Sequence, residues 1–255
     1  MTQDRLIFLG TGTSTGVPQI GCNCDVCRSV DQRDKRLRCS ALLHIGGKSL
    51  LIDCGPDFRK QIIDLGAPDI DAVLVTHSHY DHVGGMDDLR PYCYTHHGMD
   101  VYCRKDVAHD LATRMPYSIH PVHPDRVPTF NLHVVGNGNF KAAGIDVEPL
   151  EVMHGELPIL GFRIGGFAYI TDAKSIPQHT MEKLRGLDTL VINALRIKEH
   201  PTHMNLHDCM SVINEVKPKR AYLTHLSHAM GLHAEVSRML PEGVTIATDG
   251  LSIDL

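Results

Sequence analysis

Apolar residues in this chain come in short runs bounded by glycine, proline or aspartate. Runs rich in β-branched side chains predict strands at residues 6–9, 40–44, 49–53, 73–75, 99–103, 132–135, 147–152, 189–193 and 220–223. Strands 40–44 and 49–53 flank Gly46-Gly47, and residues 161–172 turn back at Gly165-Gly166, so both stretches read as hairpins. Helices are predicted at 56–65, where Phe58, Ile62, Ile63 and Leu65 can share one buried face, and at 106–115, 177–187, 206–216 and 232–240. Pro177 opens its helix in the first turn, where a missing N–H costs nothing. Residues 115–130 are rich in proline and histidine and read as a long loop, expected to form a wall of a substrate pocket. Residues 244–253 close the chain in extended form.

Both halves run strands first, then strands alternating with helices. That order suits two sheets packed together with helices outside. The pattern alone supports an α/β or α+β class in one domain over residues 1–255, without a repeat of roughly 20–50 residues.

Composition narrows the class. Apolar residues make up 42% and charged residues 22%, the profile of an ordinary globular protein long enough to bury a full core. No apolar run approaches the ~18 residues of a membrane span. Residues 6–9 are too few for the apolar part of a signal peptide, so a cytoplasmic location without membrane partners is expected. Against 30 acidic side chains stand 25 basic ones, and the net charge of −5 argues against a broad grip on nucleic acid. The basic stretch 28–38 reads as a solvated face. Of eight cysteines, Cys22, Cys24 and Cys27 are bunched, which without an export signal reads as a metal site rather than a disulfide. Cys39, Cys54, Cys93, Cys103 and Cys209 read as small apolar fillers. Eighteen histidines are many for this length and need a chemical explanation.

That explanation begins directly after the strand at 73–75. His77, His79, Asp81 and His82 are four potential metal ligands within six residues. Side chains two apart on an extended segment point the same way, so His77 and His79 can close on one cation. Asp81 and His82 follow where the chain turns towards a helix and can face a second. Imidazole and carboxylate are the ligands that Zn²⁺ and related ions take in catalytic sites. His96, His97, His109, His120 and His123 lack such spacing and read individually as surface or hydrogen-bonded histidines.

The H-x-H-x-D-H run resembles the signature of the metallo-β-lactamase superfamily. The loop 10–18 (GTGTSTGVP), followed by Gly21 and the C-x-C-x-x-C of residues 22–27, resembles its PhnP-type phosphodiesterase branch, whose best-known member acts on a phosphoribosyl cyclic phosphate. The resemblance covers essentially the whole chain. It implies an α/β fold, the αββα sandwich of two mixed β-sheets flanked by helices, with the metal site at one edge. Three further ligands are implied at strand ends: His154, Asp172 and His225. His77, His79 and His154 would hold one divalent metal, Asp81, His82 and His225 the other, and Asp172 would bridge them, with zinc and manganese both acceptable. Cys22, Cys24, Cys27 and His228 would bind a separate structural zinc, a closed set that steadies the rim of the active site. A His at the position of His79, where di-iron members tend to carry Glu, resembles the hydrolytic branch.

Two divalent ions about 3.5–4 Å apart can share a water, make it hydroxide near neutral pH and clamp the oxygens of a substrate. With Asp81, Asp172 and that hydroxide counted, about one positive charge remains, which suits an anionic phosphodiester. The leaving alkoxide needs a proton. In the branch a His is followed two residues later by an acid or amide and then Leu; His203, with Asn205 and Leu206, matches. His200 and His207 fit less well, and replacing His200 is expected to matter little. His203 and Asp81 are the catalytic candidates, with Asp53 placed to hydrogen-bond a ligand from behind and Arg196 to contact phosphate.

The expected activity is hydrolysis of a small cyclic phosphodiester by a dinuclear enzyme. The alternative on the same scaffold is a tRNA 3′-processing endonuclease. Only 71 residues separate His82 from His154, which leaves little room for the protruding arm such nucleases carry. A lactonase or thioesterase would use the same hydroxide on an acyl carbon. The expected partner is the small substrate rather than nucleic acid, and a homodimer is left open.

Overall fold

The structure, a computed structural model, describes residues 3–121 and 127–255. Among these residues fourteen strands build two seven-stranded sheets. They are β1 (Arg5–Gly10), β2 (Ser40–Ile45), β3 (Lys48–Ile52), β4 (Ala72–Leu74), β5 (Met99–Cys103), β6 (Phe130–Val134) and β7 (Phe140–Ala142), then β8 (Ile145–His154), β9 (Leu157–Ile164), β10 (Phe167–Tyr169), β11 (Thr189–Asn193), β12 (Arg220–Thr224), β13 (Val244–Ile246) and β14 (Ser252–Asp254). The first sheet runs β14-β1-β2-β3-β4-β5-β6 and the second β13-β12-β11-β10-β9-β8-β7. In the first, the pairs from β14 to β3 are antiparallel and those from β3 to β6 parallel. In the second, the pairs from β7 to β10 are antiparallel and those from β10 to β13 parallel. The two sheets share one plan, with β3 standing in the first where β10 stands in the second.

Alternation along each strand explains why the sequence reads as unbroken apolar runs. Leu6 and Phe8 of β1 join the layer between the sheets, with Leu43, Leu50, Leu74, Phe162 and Tyr169. Ile7 and Leu9 point the other way, into the layer that holds Leu51, Val73, Phe58 and Leu111. Both faces are buried, so no polar alternation is left to see. Helices Phe58–Asp64 and Lys105–Arg114 cover the first sheet, and Leu206–Val216 covers the second with Cys209, Ile213 and Val216. The expected sandwich of two mixed sheets with flanking helices is what the structure contains.

The extended stretch expected at 244–253 is two strands, one in each sheet, joined across the sandwich edge. The crossing is pinned by Asp249, whose carboxylate accepts from Thr11 N–H, the Thr11 hydroxyl and Leu37 N–H at 2.9, 2.7 and 2.6 Å. β7 and the short helix Pro116–Ile119 were not expected from the pattern, each being too brief to show a period. The helices expected at 177–187 and 232–240 are cut to Gln178–Lys183 and His233–Ser237. Residues 122–126, with His123, lie outside the described residues, so the expected pocket wall at 115–130 is described only in part. No helix among the described residues is long and apolar enough to cross a membrane.

Candidate metal centre and active site

The site lies where β3, β4, β8, β10 and β12 end. Beyond β4 the chain stays extended and puts His77 Nε2 3.0 Å from His79 Nδ1, with a His154 nitrogen, from the end of β8, in the same cluster. The next turn, the short helix Tyr80–Val83, supplies Asp81 and His82. His82 Nε2 lies 3.2 Å from both Asp81 Oδ2 and Asp172 Oδ2, and His225 Nε2 lies 3.1 Å from Asp172 Oδ1. Asp172 also clusters with His154 and His203, so its carboxylate stands between the two groups. Asp53, Asp172 and His225 leave their strands at φ of 59°, 57° and 56°. Left-handed backbone costs such residues on the order of 1–3 kcal/mol each, and it persists where the surroundings over-determine it.

Behind the ligands stands a second layer of hydrogen bonds. Asp53 Oδ2 accepts from His82 Nδ1 at 2.7 Å and from the Thr76 hydroxyl at 2.8 Å, and Asp53 Oδ1 accepts from Thr76 N–H at 2.8 Å. With its hydrogen given to Asp53, the Thr76 oxygen faces His77 Nδ1 at 3.0 Å as an acceptor. The Thr202 carbonyl accepts from His154 Nδ1 at 2.8 Å. In each case the hydrogen bond fixes one ring nitrogen and turns the lone pair of the other to the centre, as metal-ligating histidines require.

The electrostatics point to a cation. His82 Nε2 is buried without a hydrogen-bond partner, although two carboxylates face it. Burial works against charging His82, but Asp172, Asp53 and Asp81 override it and push its pKa well above the ordinary imidazole range. Burial holds His77 well below that range and, opposed by Asp172, takes His225 down to about 4. Asp172 stays ionised far below the usual carboxylate range because His225 and His82 outweigh its burial. Imidazole nitrogens and carboxylate oxygens 3.0–3.2 Å apart are close to the ~3.3 Å edge of a tetrahedron about Zn²⁺. These residues fit divalent metals.

A second cluster lies at the rim. Cys24 Sγ and Cys22 Sγ lie 3.2 and 3.5 Å from His228 Nδ1, and Cys27 completes the group. Cys24 caps the short helix Asp25–Arg28, accepting from Cys27 N–H. That bond and His228 hold the Cys24 thiol down at about 6, whereas burial pushes Cys27 up to about 11. Three sulfurs and one imidazole form a closed set of the structural-zinc kind. Thr13 N–H donates to the Leu226 carbonyl, Leu226 N–H donates to the Thr11 carbonyl, and the Thr13 hydroxyl lies 3.3 Å from His225 Nε2. The glycine-rich loop is thus stitched to the strand end that carries His225.

His203 Nε2 lies 3.0 Å from Asp172 Oδ1, its ring stacked on that of His225 at 5.2 Å. His200, expected from the pattern to matter little, has its Nδ1 3.2 Å from His203 Nδ1. Arg196 is turned away from the expected phosphate role; its guanidinium donates to the carbonyls of Lys198 and Glu199 in its own loop. Asn205 caps the helix Leu206–Val216 through Asp208 N–H, which accounts for the amide in the His203 motif. The described histidines of 96–120 join neither cluster. Thr13, Thr76 and Thr202 were missed, since a threonine that holds a ligand from behind carries no spacing signal.

A family model described as a β-lactamase superfamily domain matches residues 48–226. A solved structure described as a new diphosphatase from the PhnP family is 40% identical, with a TM-score of 0.92 over 99% of this chain and 98% of that one. An octanoyltransferase of Porphyromonas gingivalis is 44% identical over 250 residues, 97% of this chain and 51% of that protein. The chain thus spans about half the length of that relative. The human short-form tRNase Z, 19% identical with a TM-score of 0.69 over 98% of each chain, shares the fold.

Proposed function

The chain belongs to the β-lactamase superfamily, in its PhnP family, and from that premise we propose that it hydrolyses a small, cyclic phosphodiester at a dinuclear metal site. His77, His79 and His154 would hold one ion, Asp81, His82 and His225 the other, with Asp172 between them. Such a pair of ions supplies Lewis acidity and a water made nucleophilic near neutral pH.

The protein's own groups account for the rest. Asp53, Thr76 and the Thr202 carbonyl hold His82, His77 and His154 in orientation. The observation that supports the reading is the position of His203, an imidazole whose Nε2 lies 3.0 Å from the carboxylate shared by both clusters. A phosphodiester that loses an alkoxide needs a proton donor, and a general acid contributes roughly 10²–10⁴-fold. A diphosphate is the second reading, favoured by the description of the PhnP-family neighbour. A panel of cyclic phosphates, linear diesters, diphosphates, lactones, acyl thioesters and pre-tRNA, run with Zn²⁺ or Mn²⁺, tests the reading. Fastest turnover is expected for a cyclic phosphodiester, and preference for an acyl substrate or pre-tRNA contradicts it.

A further inference from the structure

We propose that His200, with Thr202, is the positioning pair that holds the His203 ring with its Nε2 turned to the metal centre; this rests on the general-acid reading of His203 given above. His203 Nδ1 lies 2.9 Å from the Thr202 hydroxyl oxygen and 3.2 Å from His200 Nδ1. The Thr202 backbone N–H donates to His200 Nδ1 at 3.3 Å. A ring nitrogen that accepts carries no hydrogen, so His200 has its hydrogen at Nε2 and the one between the two rings belongs to His203 Nδ1. At the other end of the His203 ring, Nε2 lies 3.0 Å from Asp172 Oδ1, at the edge of the metal centre. With Nδ1 held by Thr202 and His200, the His203 ring is fixed with its Nε2 edge turned to the site.

The proton step balances in that arrangement. The Nε2 hydrogen passes to the leaving oxygen, and the N–H bonding pair stays on Nε2. The P–O bond breaks with its electron pair going to oxygen, where the new O–H bond forms. What remains is the neutral ring with its hydrogen at Nδ1, already held by His200 and Thr202. No change of tautomer and no ring flip is needed before Nε2 takes a proton from water. The neighbouring rings limit rotation further. His154 meets His203 edge-on at 4.5 Å, and His200 does so at 5.0 Å. Thr202 serves two roles, since its carbonyl also holds His154, so the clean handle is His200.

The test compares His200→Ala, His200→Asn and His203→Ala in metal-reconstituted protein of equal metal content. Two phosphodiesters are used, one losing p-nitrophenolate, which departs without a proton, and one losing an alkoxide. His200→Ala should lower kcat on the alkoxide substrate about 10–100-fold, the usual effect of removing an outer partner, and leave the p-nitrophenyl substrate nearly unchanged. His200→Asn, whose Oδ1 can accept where Nδ1 did, should recover most of the loss. In ¹⁵N spectra of histidine-labelled protein, the His203 hydrogen should stay at Nδ1 in wild type and the Asn variant, and exchange between nitrogens in the Ala variant. Equal loss on both substrates, no loss, or no rescue by Asn overturns the role of His200 while His203→Ala keeps its selective loss. If His203→Ala is itself unselective, the general-acid reading falls and the positioning role falls with it.

Discussion

At the scale of single residues, the ligand histidines are shaped by burial, and this makes the metal-free protein sensitive to acid. His225 is held at about 4 and His77 well below the ordinary value of 6.5, burial leading in both. Unfolded, both regain the ordinary value, so below it the unfolded chain binds more protons than the native one and stability falls with pH. His82 works in the other sense, raised by its carboxylates against burial. Its contribution is complete below about 6.5 and is lost only as pH rises through its raised value, so it does not offset the lowered histidines, His225 and His77 among them, in the lower window. In the presence of a chelator, the denaturant midpoint should therefore drop between about pH 6.5 and about pH 4.5; a flat midpoint contradicts the assignment. The residues that titrate here were legible in the sequence because four ligands crowd six positions. Asp53 was legible too, from its place at a strand end. His200 was not, since only the fold of the 200–203 loop brings its ring against His203.

Elements set the ligands by ending in the right place, and small residues let them end there. A Cβ on Gly55 would sit 2.1 Å from the Asp81 carbonyl oxygen, and one on Gly85 would sit 2.1 Å from the Gly55 carbonyl oxygen. The turn after β3 and the turn after His82 therefore pack backbone to backbone. Gly55→Ala should push Asp81 out of line, lowering metal content at the dinuclear site and the Tm together, with zinc at the cysteine cluster kept. Unchanged metal content by elemental analysis would show that Asp81 tolerates the shift. Strand existence was plain in the sequence because both faces of each sheet are covered, which packs apolar residues without interruption. Helix ends were not, since His233–Ser237 stops short within a stretch that still looks amphipathic. The single extended stretch expected at 244–253 hid a crossing between sheets, which the Asp249 hydrogen bonds pin.

Across the whole molecule, one strand plan occurs twice, and the two copies meet at the site. Asp53 follows β3 and Asp172 follows β10, equivalent strands of the two sheets, both with left-handed backbone. One now orients a ligand and the other stands between the two clusters. A search for short repeats misses this, because the equivalent aspartates are far apart in sequence and their flanks differ. The cysteine cluster ties the N-terminal loop to the far strand end, so Cys24→Ser should cost about one zinc per chain and lower the Tm; full zinc content in that variant removes the structural-zinc claim. The central claim is that Asp172 joins two metal clusters into one phosphodiesterase site. The most direct measurement is kcat for a small cyclic phosphodiester in metal-reconstituted wild type and Asp172→Ala, with the fold of each checked by circular dichroism. The account predicts measurable turnover in wild type and loss by orders of magnitude in the folded variant, whereas near-equal turnover in the two contradicts it.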